Sequence, residues 1–457
     1  MEAMERDRSR PASRAARRGA PSRRRGGNLG RALALLATVA LLATVALVAG
    51  CTPTAPFPTG SPGSSVASGP PPTGSVSAAP SPTPRPPIGG TELYGFLPYW
   101  LMTDTTAAYL AGVPLTTLGL FSVSVSTDGT LRTDQPGYRR ILGDRGRTII
   151  AAAHRAGMRV ELVFTSFGAG PNRKFLLDTD ARAAAIAALV GLVRTLGLDG
   201  VDVDAELVRG DDVDGYTELV GDLGAALHAL SPRRTISVAT AGGHIGASLA
   251  HAAQVAEVDR IFLMGYDYHW SGSQPGASAP LGRYDDGHDL RWSIDEYVRL
   301  GVPRSRILLG LPLYGMSWPV VGVGYGMPST GPGATWTPAS HASLLASAGF
   351  APEYDPVEVA EYFVQPDGGG WRATYYDTPR TLRAKLALAR VTGLAGAGFW
   401  AIGYERGIPG YLELMRDFRD GRIGAADVVE PAPVPEPTDV AVPTDTPGPS
   451  TPSASGG

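Results

Sequence analysis

The sequence predicts an α/β fold, a (β/α)8 TIM barrel with a small α+β insertion between strands 7 and 8. Eight short runs rich in β-branched and aromatic residues recur along the chain, and alanine-rich helical segments separate most of them. This alternation is typical of a parallel barrel closed by helices. The connection at about 316–372 is too long for a simple loop and mixes helical with strand-like segments, which indicates an inserted subdomain.

The predicted strands follow one another from position 92 onward. Their sequences are ELYGFLPYW, LTTLGLFSVSV, RVELVFTSFG, GVDVDAE, RTISVATAGG, RIFLMGYDYH, RILLGLPLYG and GLAGAGFWAIGYE. Segments such as ARAAAIAALVGLVRTLG supply the helices between them. In barrels of this kind the functional side chains lie at the carboxyl ends of the strands, so we expect the candidate site there.

Composition divides the chain into four parts. Residues 1–51 have the pattern of a lipoprotein-type export signal, and residues 52–88 form a linker rich in Pro, Ser and Thr. Residues 89–424 contain the predicted barrel. Residues 425–457 form a Pro/Thr-rich tail that we expect to be disordered, because it has too few large apolar residues to build a core.

The export signal carries a candidate lipid attachment site. An arginine-rich stretch is followed by an uncharged apolar run from Ala32 to Gly50. The run ends in LVAGC, which resembles a bacterial lipobox, and Cys51 is the only cysteine of the chain. We expect a lipid on Cys51 that tethers the protein to the outer face of the cytoplasmic membrane. The alternative is a single N-terminal transmembrane helix, since about 18 apolar residues is borderline for a span.

Composition and motifs argue against several classes of function. The formal net charge is -3, and ten of the 40 basic residues lie before the apolar run, which argues against a nucleic-acid partner. One cysteine permits neither a disulfide within the chain nor a cysteine-based metal site. The histidines lack HExxH spacing, and no GxSxG motif occurs. We expect a monomer that uses no metal and no cofactor.

The fourth predicted strand carries three acids in alternation. In LDGVDVDAELV, Asp202, Asp204 and Glu206 share one face, because successive side chains of a strand point to opposite sides. Carboxylates this close in a low-dielectric site cannot all ionise, so at least one keeps its proton at neutral pH. A protonated carboxyl at the end of a barrel strand is a candidate general acid. A calcium loop is disfavoured, since the required glycine is replaced by Leu207.

The motifs resemble those of glycoside hydrolase family 18, the chitinase family, over roughly residues 93–420. LDGVDVDAE is similar to its DxxDxDxE signature, with Asp199, Asp202, Asp204 and Glu206 at the acidic positions. MGYDYH resembles its MxYD strand, GLPLYGMSW its GxPxYGxxW strand, GAGFWAIGYE its eighth strand and, less closely, TSFGAG its SxGG strand. The stretch MGYDYHWSGSQPGASAPL and the short insertion are most similar to the spore-cortex and cell-wall branch.

This resemblance implies the roles of the catalytic residues. Glu206 would protonate the glycosidic oxygen, and Asp204 would orient the 2-acetamido group whose oxygen attacks the anomeric carbon. Asp202 would tune Asp204, and Tyr266 would hydrogen-bond the acetamido group. The resemblance therefore implies a retaining, substrate-assisted glycosidase without a carboxylate nucleophile.

The resemblance also implies a set of substrate-binding residues. These are Asp267, which would bind a sugar hydroxyl, Trp400, which would stack under the sugar, and Tyr314, Tyr99 and Phe121 as walls of the cleft. The implied substrate is a β-1,4-linked polysaccharide that contains N-acetylglucosamine: chitin, chitooligosaccharide or peptidoglycan. The alternative function is a lectin-like barrel that binds such a glycan without cleaving it.

Other positions are open to more than one interpretation or depart from the family pattern. Asp199 lies on the opposite strand face and fits a structural role as well as a catalytic one. His269 fits either the wall of the cleft or a packing position. Ala205 stands where the family usually has an aromatic residue, and Met316 stands where an arginine is common.

The first prediction concerns Cys51. A Cys51→Ser protein expressed in its native host should leave the membrane fraction and should incorporate no labelled fatty acid, because the chain then has no acylation site. Fractionation and metabolic labelling measure both effects. Membrane retention without acylation would support the transmembrane alternative.

Overall fold

The computed structural model describes residues 91–434, which form a closed barrel of eight parallel strands and a separate antiparallel sheet. The predicted export signal with Cys51, the predicted linker and the tail from residue 435 lie outside the described residues. The predicted (β/α)8 architecture is confirmed.

The barrel strands occur in the predicted order. They are β1 (Glu92–Pro98), β2 (Thr117–Ser124), β3 (Arg159–Phe167), β4 (Gly200–Glu206), β5 (Thr235–Ala241), β6 (Arg260–Met264), β7 (Ile307–Pro312) and, after the insertion, β13 (Gly396–Trp400). Each pairs in parallel with its neighbours, and β1 pairs with β13 to close the barrel. All eight carboxyl ends therefore meet at one face.

Helices cover the outside of the barrel. They are α1 (Thr106–Leu110), α2 (Pro136–Leu142), α3 (Asp144–Arg155), α4 (Ala169–Leu176), α5 (Thr179–Leu196), α6 (Asp212–Leu230), α7 (His244–Val255), α8 (Leu290–Arg299), α10 (Pro379–Val391) and α11 (Tyr411–Arg419). The predicted long helix is α5, where Asp178 caps the first turn by accepting from the Ala181 amide at 3.0 Å. Gly197 ends it with a φ of 68°, a conformation that glycine adopts without steric cost.

Two apolar layers hold the barrel wall in place. Residues that point outward from the strands, such as Val201 and Val203, pack against the helices in one large core. Residues that point inward fill the barrel and are largely aromatic or aliphatic: Tyr94, Phe96, Val163, Ala239, Phe262 and Leu308. The interior is a packed, low-dielectric space, which sets the environment of every polar group placed in it.

The insertion between strands 7 and 8 is a five-stranded antiparallel sheet of order β10-β11-β12-β8-β9. Its elements are β8 (Gly315–Val320), β9 (Ala334–Trp336), α9 (Ala342–Leu345), β10 (Glu353–Asp355), β11 (Ala360–Asp367) and β12 (Gly370–Tyr376). It covers slightly more of the chain than the predicted 316–372. An aromatic cluster that includes Tyr314, Trp318 and Tyr375 contacts Tyr266 and Trp400 of the barrel, so the insertion forms one wall beside the strand ends.

The described part of the chain continues past the predicted barrel end at residue 424. Val428 and Val429 pack against the core, and Arg291 donates to the Glu430 carboxylate at 2.8 Å. Residues 425–434, assigned from composition to the disordered tail, therefore lie against the barrel. Between residues 91 and 434, no helix has both the length and the apolar character needed to cross a membrane.

Candidate active site

The three acids of β4 line the inside of the barrel at increasing height. Asp202 is fully buried, Asp204 is 5% exposed and Glu206 is half-buried at the strand end. The alternating residues Val201 and Val203 lie in the outer core, which confirms the predicted separation of the two strand faces. The row therefore runs from the barrel interior to the open face where the strands end.

Burial favours the neutral form of the two lower acids of the row. Among the described residues, neither carboxyl oxygen of Asp202 has a hydrogen-bond partner, and Oδ1 of Asp204 also has none. Burial, and then the charge of Glu161, raises the pKa of Asp202 well above its usual range. Burial, and then the charges of Glu206 and Asp202, does the same to the pKa of Asp204. An ionised carboxylate without a partner at this depth would be costly.

Glu206 titrates in the range that general acid catalysis needs. Burial, and then the negative charge of Asp267, raises the pKa of Glu206 from its ordinary value of 4.5 to about 7. A carboxyl with this pKa carries a proton in a large share of molecules at neutral pH and can also release it there. Glu206 can therefore serve as an acid and, after donating its proton, as a base.

Tyr266 and Asp267 follow β6 and lie beside the row. Asp267 has a φ of 60°, its amide donates to Ser278 Oγ at 3.0 Å, and its carboxylate accepts from the Tyr314 hydroxyl. The Tyr266 and Tyr314 rings meet edge to face at an angle of 73°, with centroids 6.2 Å apart. Burial raises the pKa of both phenols well above the usual value, so both remain hydrogen-bond donors. The structure thus brings Tyr266, Asp267 and Tyr314 together near Glu206.

Trp400 lies at the end of β13 within a group of aromatic rings. Its ring centroid is 4.7 Å from that of Phe121 and 5.7 Å from that of Phe96. The Trp100 ring is also near, at 6.4 Å, and is 44% exposed. These rings give the open face of the barrel an aromatic floor and wall, a surface on which the apolar face of a sugar ring can stack.

Tyr99 contacts this floor through Trp100, whose ring centroid lies 5.0 Å from that of Tyr99. It lies in a 3-10 turn and packs against the outer core, while the adjacent Trp100 contacts Phe121 and Trp400. The predicted first strand extends to Trp100, but β1 ends at Pro98, and the turn that follows breaks the alternation of strand side chains. Trp100 is thus an aromatic residue of the floor that the sequence analysis missed.

Glu161 is a second residue that sequence reasoning missed. It lies on β3 inside the barrel, where the Tyr94 hydroxyl donates to it at 3.0 Å and Thr235 Oγ1 also donates. Its charge is one cause of the raised pKa of Asp202. The signal was an acid at an inward position of the apolar run RVELVF.

Asp199 and His269 have structural partners. The Asp199 carboxylate accepts from the Val160 amide at 2.8 Å and lies 2.8 Å from His154 Nε2, at the start of β4. His269 is buried, with Nε2 3.1 Å from the Glu358 carboxylate of the insertion. These contacts brace the strand start and fasten the insertion to the loop after β6. Ala205 packs in the outer core.

Within residues 91–434, no group of three His, Cys, Asp or Glu side chains has an arrangement that can hold a metal ion.

A barrel with a proton-bearing carboxyl above an aromatic floor has the features of a glycoside hydrolase site. Residues 127–405, more than half of the chain, match the model of the family Glycosyl hydrolases family 18. The chain belongs to this family.

Known proteins similar to this chain fit the same family. Endochitinase 1 of Metarhizium robertsii is 29% identical over 53% of this chain and 59% of its own length. The cortical fragment-lytic enzyme of Bacillus subtilis is 25% identical over 65% of this chain and 67% of its own length. The chain thus spans about three fifths to two thirds of these relatives. A family 18 chitinase from Cycas revoluta, solved in complex with (GlcNAc)3, shares the fold with a TM-score of 0.62 at 20% identity, covering 72% of this chain and 99% of that one.

The raised pKa of Glu206 predicts a pH-dependent gain of stability in Glu206→Gln. Between pH 4.5 and about 7 the folded protein holds a proton that the unfolded chain has released, so this carboxyl lowers stability as pH rises through that window. The glutamine variant removes the penalty. Its melting temperature minus that of the wild type should be near zero below pH 4.5 and should increase up to pH 8. A difference that stays constant with pH would contradict a buried, proton-bearing Glu206.

A Trp400→Ala variant should bind N-acetylglucosamine oligomers more weakly by about 1 to 3 kcal/mol, the scale of one large buried ring. Isothermal titration with a Glu206→Gln background measures affinity without turnover. Trp371→Ala is the matched control, since Trp371 is an exposed tryptophan on β12 of the insertion. Equal affinities of the two variants would place Trp400 outside the binding surface.

Proposed function

We propose that the protein is a glycosidase that cleaves β-1,4-linked polysaccharide containing N-acetylglucosamine. The observation that carries the proposal is the position and pKa of Glu206, a carboxyl at the open end of the barrel that titrates near neutral pH. The candidate substrates are chitin, chitooligosaccharide and peptidoglycan. The names of the relatives, an endochitinase and a cortical fragment-lytic enzyme, support this class of glycan.

The proposed reaction is retaining and substrate-assisted. Glu206 donates its proton to the glycosidic oxygen while the acetamido oxygen of the same sugar attacks the anomeric carbon, and the bond to the leaving sugar breaks. This gives an oxazolinium ion and a shortened glycan. The Glu206 carboxylate then removes a proton from water, which attacks the anomeric carbon and reopens the ring with retained configuration.

The neighbouring groups suit the cationic intermediate. Asp204 lies directly below Glu206 on the same face and would orient the acetamido N–H and offset the positive charge of the oxazolinium. The charge of Glu206 is one cause of the raised pKa of Asp204, so Asp204 ionises most easily while Glu206 still holds its proton, and the cation that then forms offsets the repulsion between the two carboxylates. Tyr266 remains protonated and would donate to the acetamido oxygen. Asp202, deeper in the barrel, would tune Asp204.

A lectin-like barrel is the alternative function. It would need the aromatic floor but not a proton donor, whereas this chain keeps a carboxyl at the strand end in an environment that raises its pKa to about 7. This environment favours catalysis. We further propose that the enzyme acts at the outer face of the cytoplasmic membrane, tethered through the candidate lipid on Cys51.

The proposal predicts turnover that depends on two acids of the row. Wild type, Glu206→Gln and Asp204→Asn are assayed against labelled N-acetylglucosamine oligomers and purified peptidoglycan. Glu206→Gln should lower turnover by about 10²-fold or more, because the amide cannot deliver a proton. Asp204→Asn should also lower it, since an amide stabilises the oxazolinium poorly, and should weaken binding of an oxazoline-mimicking thiazoline.

Product analysis identifies which glycan is the substrate. Circular dichroism and thermal melting show whether each variant is folded at the assay temperature. A folded Glu206→Gln protein that hydrolyses at the wild-type rate would overturn the proposed mechanism. Glycan binding without turnover in the wild type would support the lectin-like alternative.

A further inference from the structure

The backbone that carries Glu206 turns sharply at the end of β4. Pairing between β4 and β5 ends at Asp204 opposite Ala239, two residues before Glu206. The next residue, Leu207, has a φ of 64°, which a branched side chain rarely adopts. The strand end that presents the candidate acid therefore pairs with β3 alone, with Phe167 opposite Glu206, and further support has to come from outside the two ladders.

Asn172 of α4 supplies this support. Its side chain is fully buried, its Nδ2 donates to the backbone carbonyl of Glu206, and its Oδ1 accepts from Ser166 Oγ at 2.7 Å. The Glu206 carbonyl can only accept a hydrogen bond, so the amide nitrogen must face it and the orientation of the Asn172 amide is fixed. Ser166 lies on β3 opposite Ala205. One amide thus joins β3, α4 and the end of β4.

Asparagine is rare in this chain. The chain contains two asparagines, Asn28 and Asn172, and Asn28 precedes the apolar run of the export signal. The described part of the chain therefore has one asparagine, and it is buried against the backbone of the candidate acid. A buried amide that both donates and accepts a hydrogen bond fixes local geometry and is costly to replace.

We propose that Asn172 is a positioning residue that holds the Glu206 backbone so that the carboxyl meets the glycosidic oxygen. This inference rests on the proposed catalytic role of Glu206. General acid catalysis requires the donor within hydrogen-bond distance of the leaving oxygen, and a displacement of about 1 Å can cost about 10²-fold in rate. Being fully buried, Asn172 acts through Glu206 and does not touch the sugar.

The test variant is Asn172→Leu, which removes both hydrogen bonds and keeps a side chain of similar size. It should lower kcat on a labelled N-acetylglucosamine oligomer by about tenfold or more and change KM by less than about twofold, because only the transition-state interaction is affected. Rates are compared at equal concentrations of folded protein.

The Asn172→Asp variant distinguishes the loss of the hydrogen bond that positions Glu206 from a loss of packing around residue 172. A protonated carboxyl can donate to the Glu206 carbonyl and accept from Ser166, whereas the ionised form has no proton to donate. The ratio of its kcat to that of the wild type should therefore rise as pH falls, while the ratio for Asn172→Leu stays flat.

Thr381→Val is the control for lost stability. It removes a buried hydrogen bond of 2.7 Å to Asp377, between the end of the insertion and α10, and should keep the wild-type kcat at equal folded concentration. If Asn172→Leu keeps full kcat while Glu206→Gln is inactive, or if the Asn172→Asp ratio does not change with pH, the role of Asn172 is overturned. Equal turnover in wild type and Glu206→Gln would overturn the proposed function and this role with it.

Discussion

The free-energy cost of burying carboxyl groups on one strand governs the rest of the site. Asp202, Asp204 and Glu206 share the inner face of β4, and Glu161 of β3 lies below them inside the same barrel. The arginines at the bottom of the barrel, such as Arg159, bind Glu92, which leaves Asp202 without a cation partner among the described residues. Burial and mutual repulsion both oppose ionisation of these carboxyls. The row therefore favours protonated carboxyls close to the open face of the barrel, where Glu206 would donate a proton.

The barrel fold buries the carboxyls of β4 and exposes them increasingly toward the end of the strand. Aromatic and aliphatic side chains inside the barrel provide the low-dielectric surroundings, and the helices outside hold the strands in register. Exposure rises along β4, so the proton of Glu206 is the one that can reach a substrate. The insertion and the ring of Trp400 enclose the same strand ends. The packing of the whole barrel thus offsets the unfavourable burial of the β4 carboxyls, and Glu206 is the carboxyl that can act on a substrate.

Strand periodicity and motif order were sufficient to predict the barrel, the inner face of β4 and the grouping of Tyr266, Asp267, Tyr314 and Trp400. They were insufficient where tertiary packing decides the outcome. Tyr99 packs against the outer core because β1 ends at Pro98, and it contacts the floor through its neighbour Trp100. Glu161 and Asn172 act across neighbouring elements, which a pattern along one strand does not reveal. Residues 425–434 have the composition of a tail, yet two valines anchor them to the core.

The burial of Asp202 without a hydrogen-bond partner predicts that its carboxyl keeps its proton in the folded protein at neutral pH. Isotope-edited infrared difference spectroscopy, comparing protein labelled with carboxyl-13C aspartate with an Asp202→Asn variant, measures its protonation directly. The account predicts that the wild type has the carbonyl band of a protonated carboxyl at pH 7 and that the variant lacks this band. A difference spectrum that contains only the bands of an ionised carboxylate would contradict it.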